Sequence, residues 1–205
     1  IDVGIDLGTT NSTIAVLAGT EVQVFRNNEG FETTPSAVWY DKGGRLFVGR
    51  RAKERLEDDG DNTAAEFKLQ MGTTTEYRFA RDGRTMRPEQ LSAEVLKSLK
   101  ADVTQRTGEE VRAAVITVPA AFELPQCEAT KKAAELAGLT VSPLLQEPVA
   151  AALAHALMLI EARENNWIER GNPARALSER PDLVRRLTRY EVRMREFFGI
   201  GLRIE

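Results

Sequence analysis

Hydrophobic residues near the amino terminus fall into short runs that are rich in β-branched side chains. Two of these runs, Ile1–Leu7 and Ser12–Ala18, flank a polar turn at Gly8–Asn11, and a third run covers Glu21–Arg26. Such runs, bounded by turn residues, are typical of β-strands. The pattern therefore predicts three consecutive strands, of which the first two are joined by a tight turn.

The middle of the chain carries shorter elements. Glycine-containing turns at 41–44 and 82–83 separate apolar runs, which is the signal of a hairpin. The predicted strand pairs are Pro35–Tyr40 with Leu46–Val48 and Tyr77–Phe79 with Arg84–Met86. A short helix is predicted over Arg51–Glu57.

From residue 88 onward, helical and strand patterns alternate. Apolar residues recur at helical spacing between Pro88 and Thr107, which predicts a helix there. A second helix is predicted over Gln126–Ala137, closed by Gly138. Ala113–Val118 is predicted to be a buried strand and Thr140–Leu145 a further strand, and Pro148 is placed to open another helix. Alternation of this kind predicts the α/β class.

The tail, 156–205, differs in character because its basic residues are all arginine. An apolar stripe runs along a predicted helix in this tail, through Leu183, Leu187, Tyr190, Met194 and Phe197. The stripe is expected to pack within the chain or against a partner. Acidic residues are interspersed with the arginines, which favours a solvated face over a nucleic-acid surface.

Composition narrows the function classes. The chain has 205 residues with 42% hydrophobic and 29% charged residues and a net charge of −3, as expected of a globular domain without general attraction to nucleic acid or anionic membranes. The longest apolar stretch, Val149–Ile160, is too short to span a bilayer. A single cysteine, Cys127, suits a reducing compartment.

The segment with the most chemical content is Gly4–Asn11. A buried strand leads into a turn with one glycine and two threonines, which can aim backbone N–H groups and hydroxyls at a phosphate. Asp6, at the end of the strand, can hold Mg²⁺ through water, because Mg²⁺ keeps much of its hydration shell. The alternative is an ordinary hairpin with glycine in its turn. The lysine of a P-loop and the third glycine of a dinucleotide motif are both missing.

The segment Gly4–Ser12 resembles the first phosphate loop of the actin-like ATPases, and most closely that of the seventy-kilodalton heat-shock chaperones (the DnaK type). The resemblance extends in order over residues 1–155. It is carried by Asn28-Glu29-Gly30, Thr33-Thr34-Pro35-Ser36, Val48-Gly49-Arg50-Arg51-Ala52-Lys53, Lys68 with Gly72, Ser92-Ala93-Glu94-Val95-Leu96, Ala114-Val115-Ile116-Thr117-Val118-Pro119-Ala120 and Glu147-Pro148-Val149-Ala150-Ala151-Ala152-Leu153-Ala154.

The resemblance implies roles for individual residues. Gly8, Thr9, Thr10 and Asn11 would form the nucleotide-binding turn, with both threonines on the β- and γ-phosphates, and Asp6 would order the water shell of Mg²⁺. Lys68 would reach the γ-phosphate, and Glu147 would orient a water molecule. These two residues would form the catalytic pair. Taken alone, Lys68 would read as a solvated surface lysine and Glu147 as a capping acid before Pro148.

The chain departs from the family pattern at several positions. Cys127 stands where the family commonly has an arginine, which with Pro119 is thought to relay the nucleotide state. Glu123-Leu124-Pro125 replaces a polar turn and is expected to change how the next helix begins. His155-Ala156 replaces the Tyr-Gly that should end the Pro148 helix. The relay is therefore in doubt, while the phosphate contacts are unaffected.

The fold expected from the resemblance is one lobe of the actin-like ATPase fold, a mixed sheet with flanking helices, over residues 1–155. Residues 35–88 would form roughly the inserted smaller subdomain, and 156–205 a helical extension. Nothing in the chain resembles the family's second phosphate loop, Asp-Leu-Gly-Gly-Gly-Thr, or its adenosine-binding segment. Complete catalysis would need such groups, so an ATPase activity of this chain alone is left open.

Two functions of different classes follow. The first is an ATP-binding heat-shock-type chaperone, as a fragment or truncated relative, in the cytoplasm. Intact relatives couple ATP hydrolysis with Mg²⁺ to the folding of client proteins, together with co-chaperones. The alternative is a non-catalytic interaction module on half an actin-like fold, whose tail binds a partner, or a second copy, through 181–198. A sugar or acetate kinase is disfavoured by the Thr-Thr-Asn turn.

Overall fold

The computed structural model describes residues 2–18, 21–141 and 144–151. The chain divides into two compact units, Ile1–Leu145 and Gln146–Glu205. The predicted helical tail, 156–205, and its stripe within 181–198 lie outside the described residues, as does the boundary predicted at residue 155.

Strands and helices alternate along the described residues. The strands are β1 (Asp2–Asp6), β2 (Asn11–Ala18), β3 (Glu21–Val24), β4 (Thr34–Pro35), β5 (Ala37–Tyr40), β6 (Leu46–Val48), β7 (Thr63–Ala65), β8 (Tyr77–Arg78), β9 (Thr85–Met86), β10 (Ala113–Val118), β11 (Thr140–Val141) and β12 (Leu145–Gln146). The α-helices are α1 (Arg50–Lys53), α2 (Arg55–Asp58), α3 (Pro88–Thr107) and α4 (Leu124–Leu136). Gly60–Asn62 and Phe67–Gln70 form single turns of 3-10 helix.

The larger sheet is mixed, with the strand order β11-β10-β1-β2-β3. β1 runs parallel to β10, and β10 runs parallel to β11, whereas β1–β2 and β2–β3 are antiparallel pairs. Val3 and Ile5 of β1 and Ala114 and Ile116 of β10 are buried on one face, as alternation along a strand requires. This apolar face of the sheet therefore forms part of the hydrophobic core.

Helix α3 follows directly from its sequence pattern. Pro88 occupies the first turn, the Arg87 N–H donates to Gln90 Oε1 at 2.8 Å, and the helix ends at Gly108 in the left-handed region. These are the expected start and stop signals. The predicted apolar stripe is fully buried and consists of Leu91, Val95, Leu96, Leu99 and Val103.

Helix α4 begins two residues earlier than predicted. The Glu123 N–H donates to Gln126 Oε1 at 2.8 Å, and Pro125 lies in the first turn, so the residues that replace the family's polar turn cap the helix instead. Ala133 and Ala134 are buried, which lets α4 pack closely against α3. Gly138 follows with a φ of 70°.

A smaller antiparallel sheet, β6-β5-β7, and the β8–β9 hairpin are built from residues between Ala37 and Met86. Both lie in the range predicted for an inserted subdomain, whose separate status stays a prediction. The helix predicted over Arg51–Glu57 is wrong in detail, since α1 and α2 are two short helices that meet at Glu54. β7 and the two 3-10 turns were not predicted.

The described fold is mixed α/β, with a mixed sheet and packed helices. This confirms the predicted fold class and is consistent with part of an actin-like ATPase lobe. The predicted strand Thr140–Leu145 is observed as β11 and the start of β12. In the second unit, residues 147–151 are helical, as Pro148 predicted.

Candidate functional site

The carboxyl ends of the parallel strands β1 and β10 lie at the same edge of the larger sheet. Asp6, the last residue of β1, is in register with Thr117 of β10, and the Thr117 hydroxyl donates to Asp6 Oδ1 at 2.8 Å. Ligands of open sheets with parallel strands bind outside this edge. Asp6 is therefore a half-buried carboxylate that a neighbouring strand holds in place.

The turn between β1 and β2 leaves the same edge directly after Asp6. Leu7 is buried beneath it, and Gly8 approaches the chain so closely that a Cβ there would lie 2.0 Å from the Asn11 carbonyl oxygen. No side chain fits at that distance, so the turn requires glycine at this position. Thr9 is half-buried, and Thr10 and Asn11 are exposed. The turn thus presents the predicted nucleotide-binding residues together at the surface.

Hydrogen bonds from two buried serines hold this turn. The Gly8 N–H donates to Ser12 Oγ at 3.2 Å, and the Ser36 hydroxyl donates to the Gly8 carbonyl at 2.7 Å. The two hydroxyl oxygens lie 2.9 Å apart. The Ser36 N–H also donates to the Thr10 carbonyl at 2.9 Å. Neither serine was predicted as a site residue, although Ser36 lies in the motif Thr33–Ser36, because hydroxyls that support a turn leave no spacing signal.

Lys68 is buried, with a relative exposure of 6%. The lysine lies in the 3-10 turn Phe67–Gln70, and its Nζ is 5.6 Å from the centroid of the Phe122 ring, within the range of a cation–π contact. Phe122 follows β10 by four residues and donates its N–H to the Pro119 carbonyl at 3.1 Å. Lys68 therefore contacts the loop that leaves the same sheet edge as the Asp6 turn. The alternative prediction that Lys68 is a solvated surface lysine is therefore wrong.

Gly72 fixes the segment that carries Lys68. Its φ is 75°, and a Cβ there would lie 2.7 Å from the backbone carbon of Pro125, at the start of α4. Both conditions favour glycine. The Lys68–Gly72 spacing noted in the sequence thus has a physical basis, since the segment packs backbone to backbone on α4.

Glu147 belongs to the second unit. It is half-buried and is the first of the helical residues 147–151, followed by Pro148. This position is consistent with Glu147 as an acidic residue at the start of a helix. Its predicted role in orienting water stays a prediction.

Among the described residues, no group of three or more His, Cys, Asp or Glu side chains is arranged to hold a metal ion. Mg²⁺ needs no such cage, because it keeps several waters and commonly uses one or two carboxylates plus phosphates. Thr13, which pairs with Asp6 in the β1–β2 register, has a buried hydroxyl without a hydrogen-bond partner. A single oriented carboxylate at the carboxyl edge of the parallel strands fits a hydrated Mg²⁺ ion.

The described helices are too short or too polar for any of them to cross a membrane. The sequence profile of the family described as Hsp70 protein matches residues 2–166, which is most of the chain. The matched part contains the β1–β2 turn, Lys68 and Glu147, and corresponds to an N-terminal segment of the nucleotide-binding domain of chaperone-type ATPases. The chain therefore belongs to the Hsp70 family.

Proposed function

We propose that this chain binds Mg·ATP through the β1–β2 turn, as part of the ATPase cycle of a heat-shock chaperone. The observation that carries the proposal is the turn itself. Gly8 admits no side chain, and the turn lies next to an oriented carboxylate at the carboxyl edge of parallel strands. A turn this tight can aim consecutive backbone N–H groups at one point, which suits a phosphate.

The phosphates would be held by the exposed part of the turn. Thr9 and Thr10 would offer backbone N–H groups and hydroxyls to the β- and γ-phosphates, and Asn11 would complete the turn. Hydrogen bonds from such groups to charged phosphate oxygens are stronger than bonds between neutral partners. Binding at this turn therefore needs no lysine within it.

Asp6 would hold Mg²⁺ through water molecules. Thr117 keeps one Asp6 oxygen oriented. When bound, Mg²⁺ neutralises charge on the β- and γ-phosphates. The contribution of the chain is a carboxylate whose position is set before the nucleotide arrives.

Lys68 would place an ammonium group against the γ-phosphate. Its burial and its contact with Phe122 restrict the side chain, so little conformational entropy is lost when a phosphate binds. Glu147 would orient a water molecule, on the strength of the family resemblance. In intact members of the family, hydrolysis would be coupled to the folding of client proteins with the help of co-chaperones, in the cytoplasm.

Titration calorimetry with Mg·ATP tests this function. The chain should bind, and Thr10→Ala and Lys68→Ala should each weaken binding about tenfold or more, because each removes a contact to a charged oxygen. Lys131→Ala is the matched control, since Lys131 is an exposed lysine of α4 paired with Glu128, and its removal should leave the affinity unchanged. Absence of binding at millimolar ATP would favour the non-catalytic interaction module, and equal affinity in all variants would contradict binding at this turn.

A further inference from the structure

Ser12 and Ser36 form a closed ring of hydrogen bonds with both sides of Gly8. The Gly8 N–H donates to Ser12 Oγ, and the Ser36 hydroxyl donates to the Gly8 carbonyl. A serine hydroxyl has one hydrogen to donate. Because the Ser36 hydrogen is committed to Gly8, the hydrogen between the two oxygens comes from Ser12. The ring therefore has one direction, from the Gly8 N–H through Ser12 and Ser36 to the Gly8 carbonyl.

Both hydroxyls are shielded from water, with relative exposures of 0% for Ser12 and 2% for Ser36. Hydrogen bonds in a buried network polarise one another, and an unmet partner there is costly. A further bond joins the Ser36 N–H to the Thr10 carbonyl at 2.9 Å. Ser36 thus holds the carbonyl groups of two turn residues, Gly8 and Thr10.

The two held carbonyls fix the directions of two N–H groups. A trans peptide unit is planar, so the N–H of the following residue points away from the carbonyl oxygen. Holding the carbonyls of Gly8 and Thr10 toward Ser36 therefore turns the N–H groups of Thr9 and Asn11 away from Ser36. The side of the turn opposite Ser36 receives the N–H groups that an anion would need.

We propose that Ser36 is a positioning residue of the phosphate-binding turn, acting through the Gly8 and Thr10 carbonyls; the inference rests on the proposed nucleotide binding at this turn. Ser36 lies between β4, which pairs with β2, and β5, the central strand of the smaller sheet. The orientation of the turn is thereby tied to the start of the smaller sheet. Ser36 itself touches no phosphate in this scheme.

The test compares Ser36→Ala with Thr130→Val. Thr130 is a buried residue of α4 whose hydroxyl also donates to a backbone carbonyl, that of Gln126, at 2.8 Å. Both variants lose one buried hydroxyl bond of the same type. Ser36→Ala should raise the dissociation constant for Mg·ATP about threefold to tenfold, whereas Thr130→Val should leave it unchanged. The thermal midpoints of the two variants should fall by similar amounts.

A nucleotide-free measurement separates this inference from the function on which it rests. In ¹⁵N-resolved NMR spectra recorded without nucleotide, Ser36→Ala should shift the Thr9 and Asn11 amide resonances. In the binding measurement, Ser12→Ala, which spares the Ser36–Gly8 bond, should weaken Mg·ATP binding less than Ser36→Ala does. Unchanged affinity in Ser36→Ala, equal weakening in Thr130→Val, or loss of cooperative unfolding in Ser36→Ala alone would overturn the role of Ser36. A wild-type chain that binds no ATP would instead overturn the proposed function.

Discussion

At Gly8 the backbone passes so close to Asn11 that a methyl group would overlap the carbonyl oxygen, with 2.0 Å between the centres. The neighbouring Asn11 atoms are backbone, which cannot yield as a flexible side chain would, and the two serines hold the N–H and the carbonyl of Gly8 itself. Gly8→Ala should therefore force the turn open. We expect a loss of stability of roughly 1–3 kcal/mol, as for other overpacked sites, together with loss of Mg·ATP binding.

Gly60→Ala is the control for this prediction. A methyl group at Gly60 would have no heavy atom within 4 Å, and the residue has no positive φ, so the free energy of unfolding should change by no more than about 0.5 kcal/mol. Urea unfolding followed by circular dichroism gives both values. Equal stability in Gly8→Ala and the wild type would contradict the geometry of the turn.

Single residues also differ in how far their structural roles can be predicted from the sequence. The turn Gly8–Asn11 could be predicted because glycine and threonine between two apolar runs form a local signal. The burial of Lys68 could not, since it depends on Phe122, which lies more than fifty positions away in the chain. The roles of Ser36 and Thr117 could not be predicted for the same reason, because their hydrogen-bond partners are distant in the chain.

At the scale of elements, α3 was predictable residue for residue, because its apolar stripe, its Pro88 start and its Gly108 stop all act within one segment. The 3-10 turn Phe67–Gln70 was not, because four residues are too few to show a period. It begins after Glu66, which has a φ of 55°. Tertiary contacts rather than local preference hold that turn in place.

The smaller sheet is tied to its neighbouring helix through Asp59. The Trp39 indole N–H donates to Asp59 Oδ2 at 2.8 Å, the Asn62 amide donates to Oδ1 at 2.7 Å, and Arg81 pairs with Oδ2 at 2.8 Å. These hydrogen bonds, those of Trp39 and Asn62 foremost, lower the pKa of Asp59 from 3.8 to about 2. The ionised form is therefore favoured in the folded chain.

A lowered pKa gives a stabilisation that is complete above the unfolded-state pKa and is lost as the pH falls through the folded-state value. Asp59→Asn should thus reduce the free energy of unfolding at neutral pH, and its difference from the wild type should shrink between pH 4 and pH 2. Trp39 fluorescence, measured in a Trp167→Phe background, reports the unfolding of this sheet. Asp58→Asn, at a mostly exposed position, is the control and should follow the wild type at each pH. Parallel pH profiles for Asp59→Asn and the wild type would contradict this assignment.

At the scale of the molecule, the order of motifs along the chain predicted the family, and the Hsp70 profile over residues 2–166 confirms it. The predicted fold class follows from the same motifs, because strands and helices alternate between them. The functions of the tail at 156–205 and of Glu147 stay predictions. Local sequence patterns do not determine which distant surfaces meet.

The central claim is that the β1–β2 turn receives the phosphates of Mg·ATP. An NMR titration of the ¹⁵N-labelled chain with Mg·ATP, corrected for the effect of Mg²⁺ alone, tests it most directly. We predict that the largest amide shifts occur at Gly8, Thr9, Thr10 and Asn11, while Lys131 on α4 stays unshifted. Saturable shifts centred elsewhere, or no shifts at the turn at millimolar Mg·ATP, would contradict the claim.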